Sequence, residues 1–370
     1  MADLLVNFGP LKAGGGQTVA MAFVEELVSR GIQDDFCFIV ASESKLDGMC
    51  RQFGLKILYR VSSNPIVRMI EEALIVTRMI KNEPPKLIYS YFGFGLFFSK
   101  VPQAVGAADS NLFYPEMDFW VEYSGIRKLI KLLIDKFRIY GLRQADLVIF
   151  ENQALMKRAK QQLSLRSCCY IPPAIPLGEE LRRDRNYQSN TNAITVLFLC
   201  GWQLNKNIML IPALLAAARS RDIDLRVKFS AKFDGKKISR GFRRKLCEAG
   251  VADKVEMLGT VEKSTFPALF ASVDAVMLLS KLESFSNNIS ESWLYKTPLI
   301  ITDADWSRSI CGDAAIYVDR DDADMVLDAI VRASDDSFRK SLVSMGCEEL
   351  KKLPSVACRF DLELTALNRI

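Results

Sequence analysis

Residues 274–303 read DAVMLLSKLESFSNNISESWLYKTPLIITD. An apolar run leads into a polar loop, a helix-like stretch and a second, β-branched run. That order is strand, crossover helix, parallel strand. Two carboxylates, Glu283 and Glu291, stand eight positions apart around Ser286, Asn287 and Asn288. Open parallel sheets bind ligands outside the carboxyl ends of their strands. The stretch therefore predicts a ligand site after the strand 274–280, with Ser286 to Ile289 opening a helix and Glu291 in its first turn. Free N–H groups at such a terminus suit a diphosphate, and a carboxylate beside them suits a ribose diol.

The same alternation extends in both directions. The second half offers strands at 195–200, 225–231, 254–259, 274–280, 297–303 and 315–319; the first half offers 4–8, 37–41, 56–60, 86–92, 103–108 and 147–152. Between them lie stretches such as PIVRMIEEALIVTRMI, where Ile66, Ile70, Leu74, Thr77 and Ile80 recur at helical spacing. The pattern breaks from Ile171, where prolines give way to charge and then to Ser and Asn. The expected organisation is a first Rossmann-like domain at 1–175, a linker at 176–192, a second Rossmann-like domain at 193–350, and a closing segment, 351–370, able to pack back on the first domain. The fold class is α/β, two doubly wound domains facing across a cleft.

Composition narrows the chemistry. With 370 residues, 49% of them apolar and 25% charged, the chain can build two cores. It has no histidine, which excludes a histidine triad, a histidine-ligated zinc and a histidine general base. Nine cysteines, an odd number without a C-x-x-C pair, suit a reducing cytosol. The uncharged window 87–99 is too short for a bilayer, and the start MADLLVNFGP lacks a basic n-region. Residues 1–175 hold 21 Lys and Arg against 17 Asp and Glu. No basic run marks a nucleic-acid surface.

Two glycine elements matter. In LLVNFGPLKAGGGQTVAMAF, a strand leads through Gly9 and Pro10 to Gly14, Gly15 and Gly16, then to a helix. Glycines let backbone N–H groups approach an anion, but the spacing fits neither a dinucleotide fingerprint nor a phosphate loop with its lysine; a plain strand-to-helix turn accounts for it equally well. In VLFLCGWQLNKNIMLIPALLAAAR, a strand ends at Gly201 and Lys206 precedes an apolar helix. There a cation can meet a phosphate.

Together, ESFSNNISES followed by KTPLIITD resembles the family 4 retaining glycosyltransferases of the GT-B fold, whose pattern is E-G-F-G-x-x-x-x-E-A, a short helix, then G-T-P-V-I and Ser/Thr-Asp. The likeness continues in VLFLCGWQLNKN, in VADKVEMLGTVEKSTFPALFASVDAVMLLSKLESF, in CGDAAIYVDRDDADMVLDAI and in the place of the glycine loop. The resemblance implies that Glu291 holds the ribose hydroxyls and that Glu283, with a catalytic role, contacts the donor sugar. It implies that Ser284, Phe285, Ser286, Asn287 and Asn288 contact diphosphate and sugar, and that Lys206 neutralises the diphosphate. Gly14 to Gly16 would close over the phosphates from the other domain. The sequence departs from the pattern at Trp202, where the family has arginine, and at Ser284 and Ser286, where it has glycine. Where many members carry a histidine, this chain has Ala108 and Asp109. Asp109 is the candidate acid there, and Glu116 reads rather as turn chemistry.

The implied reaction moves a hexose, with retention, from a nucleotide diphosphate sugar to a saccharide or lipid-linked saccharide acceptor, as in the synthesis of cell-surface polysaccharide or lipopolysaccharide. No cofactor and no essential metal are expected. The DAD runs at 303–305 and 322–324 mimic a metal motif of another fold but read as a loop and a helix cap. The expected location is cytoplasmic or peripheral at the inner face of the membrane. The stretch GIRKLIKLLIDKFRIYGLRQA (125–145) has an apolar stripe at Ile126, Ile130, Leu133, Phe137 and Tyr140, with Lys128, Lys131 and Arg138 on another face. Such a helix can lie on an anionic membrane, but the usual outcome is a core helix with a solvated basic face, and that is the expectation here. Two other functions compete: a nucleotide-sugar epimerase of the same architecture, and a non-catalytic protein that binds nucleotide sugar or a partner.

Overall fold

The computed structural model describes residues 3–12, 14–175 and 193–370. The linker read at 176–192 lies outside the described residues. The chain divides into two compact units, Met1–Pro176 with Pro354–Ile370, and Leu177–Leu353.

The first unit is built on a seven-stranded sheet. Its strands are β1 (Leu4–Phe8), β2 (Phe36–Ala41), β3 (Ile57–Val61), β4 (Leu87–Ser90), β5 (Gln103–Ala107), β6 (Leu147–Phe150) and β7 (Cys168–Tyr170), in the order β3-β2-β1-β4-β5-β6-β7. Every described pairing is parallel. Strands β1, β2 and β6 are buried throughout, so they read as continuous apolar runs, as strands covered on both faces do. Strand β7 escaped the sequence reading. It is three residues, Cys-Cys-Tyr, at the sheet edge and only partly buried, too short and too weakly apolar to announce itself.

The second unit holds β8 (Ile194–Phe198), β9 (Leu225–Phe229), β10 (Val255–Met257), β11 (Ala275–Leu278), β12 (Leu299–Thr302) and β13 (Ile316–Val318), in the order β10-β9-β8-β11-β12-β13. All pairs are parallel. In each sheet the first strand lies inside and the order reverses beside it. That reversal is the topological switch point, between β1 and β4 and between β8 and β11.

The helix Val356–Leu367 belongs to the first unit. Phe360 packs 4.8 Å from Phe23 of the helix Gly15–Ser29. Beside it the fully buried Arg359 bonds Glu151 at 2.7 Å and Glu363 at 2.9 Å, and the Tyr91 hydroxyl donates to Glu363 at 3.1 Å. Each buried charge thus has a partner, the condition under which charges are tolerated in a core.

The helix Gly125–Gln144 overturns the expectation of a core helix. Ile126, Ile130, Leu133, Phe137 and Tyr140 are all exposed, and the residues it buries are Asp135, Gly141 and Leu142. The cause is a polar docking face. Asp135 accepts from Asn111 Nδ2 at 2.8 Å and Trp120 Nε1 at 2.6 Å and pairs with Arg138 at 3.2 Å. Gly141 lies so near the Phe94 carbonyl that a β-carbon would stand 1.9 Å from it. The apolar stripe is left facing outwards.

Candidate functional site

The loops after β8 and β11 leave the second sheet side by side at its switch point. After β8 the chain turns at Gly201, φ 60°, and a short 3-10 turn, Leu204–Lys206, presents Lys206. Asn207 follows in the left-handed region at φ 56°, which asparagine tolerates better than most residues. Hydrogen bonds tie this loop to two neighbours. The Asn205 carbonyl accepts from the Lys281 N–H at 2.9 Å and from Arg320 Nη1 at 3.2 Å. Asn205 Nδ2 donates to the Leu282 carbonyl at 3.1 Å, and Asn207 Nδ2 to Asp321 at 3.0 Å. The loops after β8, β11 and β13 are therefore laced together around Lys206.

Lys206 pairs with Glu283, and both side chains are largely withdrawn from water, 12% and 16% exposed. The structure thus brings together two residues that lie 77 positions apart in the chain. Each compensates the other, and an anion arriving beside Lys206 would compete for it.

The helix Asn287–Leu294 starts next to this pair. Its N-cap, Ser286, makes no side-chain capping bond, and its first turn carries no acid. The N–H groups of Asn287 and Asn288 have no partner among the described residues. Asn288 Nδ2 donates to the Leu199 carbonyl at 2.9 Å, pinning the helix start to the end of β8. Ser284 and Phe285 are partly buried in the approach, whereas Ser286 is buried. Glu291 is the fifth residue of the helix and so lies in the second turn, not the first, because Ser284 to Ser286 remain outside the helix. It is partly buried, and no side-chain partner reaches its carboxylate among the described residues. Burial pushes its carboxyl up to about 7, with Lys263 opposing.

The site therefore offers the Lys206 cation, a helix terminus with open N–H groups, and one turn further on a carboxylate with no hydrogen-bond partner among the described residues. Cation and terminus suit an anion such as a diphosphate; the carboxylate can accept two hydroxyl donors. Trp202 supplies no second cation. Its ring packs 5.1 Å from Phe229 and 5.4 Å from Phe242, and its Nε1 donates to the Lys232 carbonyl at 2.7 Å.

In the first unit the glycine loop sits at the end of β1. Gly9 is required for packing, since a β-carbon would meet Asn7 Oδ1 and Val61 at 2.9 Å. Gly14 is required for conformation: it caps the helix Gly15–Ser29 at φ 82° and nothing approaches its β-carbon position within 4 Å. Gly15 is exposed at the uncapped terminus, while Gly16 faces Leu11 and Phe92. Asp109, at the end of β5, pairs with Arg138 at 3.1 Å. Burial raises its carboxyl from the usual value, and Arg138 opposes this.

The acids set aside in the sequence have structural partners. Glu116 bonds Arg158 at 2.6 Å. Asp303 bonds Arg308 at 2.7 Å, and Asp322 caps the helix Ala323–Ser334 by accepting from the Met325 N–H at 2.9 Å. Among the described residues no group of three or more Cys, Asp and Glu could hold a metal ion. Sequence reasoning missed Asn205, Asn207 and Arg320. The two asparagines flanking Lys206 were the available signal; Arg320, among acids in DRDD, gave none.

Residues 193–336 match the family model described as glycosyl transferases group 1. Solved structures align over the whole chain. The HepE protein of Anabaena, solved with UDP and glucose, is 15% identical at a TM-score of 0.73, with all of both chains covered. Sucrose-phosphate synthase of Thermosynechococcus elongatus is 14% identical at 0.75, covering 100% of this chain and 98% of its own. WaaG, a glycosyltransferase involved in lipopolysaccharide biosynthesis, is 14% identical at 0.69, with 98% of each chain covered. At these identities the likeness establishes the fold, two parallel-sheet α/β domains of the GT-B type. No curated protein matches the chain by sequence.

Proposed function

We propose, from the glycosyl transferases group 1 domain at residues 193–336, that the chain moves a hexose from a nucleotide diphosphate sugar to a saccharide acceptor with retention of configuration. The convergence of Lys206, Glu283, the open terminus of the helix Asn287–Leu294 and the unpartnered Glu291 at one switch point supports this reading. Glu291 accepts the ribose hydroxyls. The diphosphate lies against the N–H groups of Asn287 and Asn288, and Lys206 turns from Glu283 towards it as negative charge grows on the leaving group. Glu283, so released, accepts hydroxyls of the donor sugar. The acceptor hydroxyl attacks on the face from which the diphosphate departs and gives its proton to the departing phosphate oxygen, so that retention needs no covalent intermediate on the protein. Asp109 is the acid assigned to the acceptor side, held by Arg138. A lysine and a helix terminus already carry the charge compensation, so transfer needs no metal. The acceptor is lipid-linked, in the synthesis of a cell-surface polysaccharide, and the protein works in the cytoplasm at the membrane face.

Release of nucleoside diphosphate from a panel of UDP-, GDP-, ADP- and TDP-sugars tests this. One donor should be turned over, in EDTA as well as in magnesium, and Lys206→Ala should lower the rate about 100-fold or more. Binding without release would instead make the chain a nucleotide-sugar binder, a role to which Trp202, standing without charge where the resembled pattern has arginine, lends some support. Interconversion of sugars without release would make it an epimerase.

A further inference from the structure

The stripe of the helix Gly125–Gln144 faces outwards, with only Phe137 and Tyr140 of its five residues touching a ring, that of Phe97, among the described residues, and it is not alone. Ile126 is 69% exposed and Phe137 48%. On the same unit a second helical run, Pro65–Ile70 continuing through a π-helical turn Glu71–Val76, exposes Ile66, Ile70 and Leu74, the last by 66%. The two helices flank one side chain: Arg68 and Arg138 lie 5.8 Å and 5.7 Å from the Phe94 ring. Close by, Phe97 stacks on Tyr140 at 5.9 Å, and Phe98 next to it is 78% exposed at φ 65°. Exposed aliphatic and aromatic side chains thus come from two neighbouring helices and a loop of the one unit.

Charge identifies what they meet. At 100° per residue, Ile126, Ile130, Leu133 and Phe137 fall within a narrow arc, and Arg127, Lys136 and Arg143 fall on its flanks. All three bases are exposed. The helix has six basic residues and a single acid, Asp135, which is buried and bonded. Arg78 and Lys81 extend the basic border on the second run, and both are exposed. A second copy of this chain would set the same basic border against itself, since a two-fold contact is self-complementary. A bilayer with anionic headgroups compensates the border and receives the apolar arc.

The geometry points to this face, the outer side of the helices 125–144 and 65–76 with Phe98, as the surface by which the protein lies on an anionic membrane. The surface deepens the proposed use of a lipid-linked acceptor, but it stands on exposure and charge alone and does not need that acceptor to exist.

Flotation of the full chain with vesicles tests it. The protein should float with vesicles containing phosphatidylglycerol and remain behind with pure phosphatidylcholine, and high salt should release it. Lys136→Gln and Arg143→Gln should each reduce partitioning about fivefold, the effect of about 1 kcal/mol per basic residue. Leu133→Ser with Phe137→Ser should abolish it. All four side chains are exposed, so circular dichroism and the melting temperature should stay at wild-type values. Equal flotation with neutral and anionic vesicles, none with either, or flotation untouched by the serine pair would overturn the assignment. So would a dimer in sedimentation that the serine pair dissolves, which would give the face to a second copy. Nucleotide binding in solution is measured separately, so failure at the membrane leaves the donor site standing, and failure of the donor site leaves the membrane face standing.

Discussion

Glu291 combines partial burial, no partner and a carboxyl raised to about 7. A carboxyl raised in the folded state keeps its proton where the unfolded chain has lost it. Its contribution is therefore fully present below the ordinary value near 4.5, declines as pH rises towards 7, and is gone above it. Glu291→Gln should match wild type in melting temperature at pH 4 and exceed it by a few degrees at pH 8, a gain of roughly 3 kcal/mol. An unchanged gap across that range would mean that the side chain is solvated. A bound diol donates to the carboxylate and favours its ionised form, so nucleotide-sugar affinity should rise between pH 6 and pH 8 in wild type and stay flat in the variant. At this scale the sequence was legible where residue type alone signals chemistry: the two glutamates, the lysine, the glycines. It was not legible where a contact decides the role. Nothing in the string shows that Lys206 and Glu283 meet, or that Asn207 takes a left-handed turn to bond the loop after β13.

Elements follow the same division. The helix Val356–Leu367 joins the first unit by a buried ion network as well as by Phe360. Arg359 lies between Glu151 and Glu363, so Arg359→Met leaves two carboxylates buried without their cation. The expected cost is about 3–5 kcal/mol, read as a lower urea midpoint with an unchanged slope; a cost under about 1 kcal/mol would show that water already reaches the network. Apolar periodicity located the helix 125–144 but not its orientation. A stripe of five apolar residues ordinarily turns inward, and here Asp135, on the opposite side, and Gly141, near the helix end, provide the docking contacts. In the run 65–82 the sequence stripe Ile66, Ile70, Leu74, Thr77, Ile80 crosses from exposed to buried. The π-helical turn at Glu71–Val76 takes more residues per turn and so shifts the face of the residues after it, which a constant helical period cannot anticipate.

At the scale of the molecule, two doubly wound parallel sheets were readable because the buried strands announce themselves as apolar runs and most crossovers as helical stretches, the connection from β4 to β5 being a helix-free exception. Strand order was not written in those runs; it follows from pairing, and pairing puts the loops after β8 and β11 side by side. That adjacency turns scattered residues into one site, and the central claim is that a nucleotide diphosphate binds there. A thermal-shift panel with UDP, GDP, ADP and TDP on wild type and Glu291→Ala tests it most directly. One nucleotide at about 100 times its dissociation constant should stabilise wild type by roughly 2.7 kcal/mol and leave Glu291→Ala unmoved. A folded wild type that none of the four shifts, or a shift of equal size in both proteins, would contradict the account.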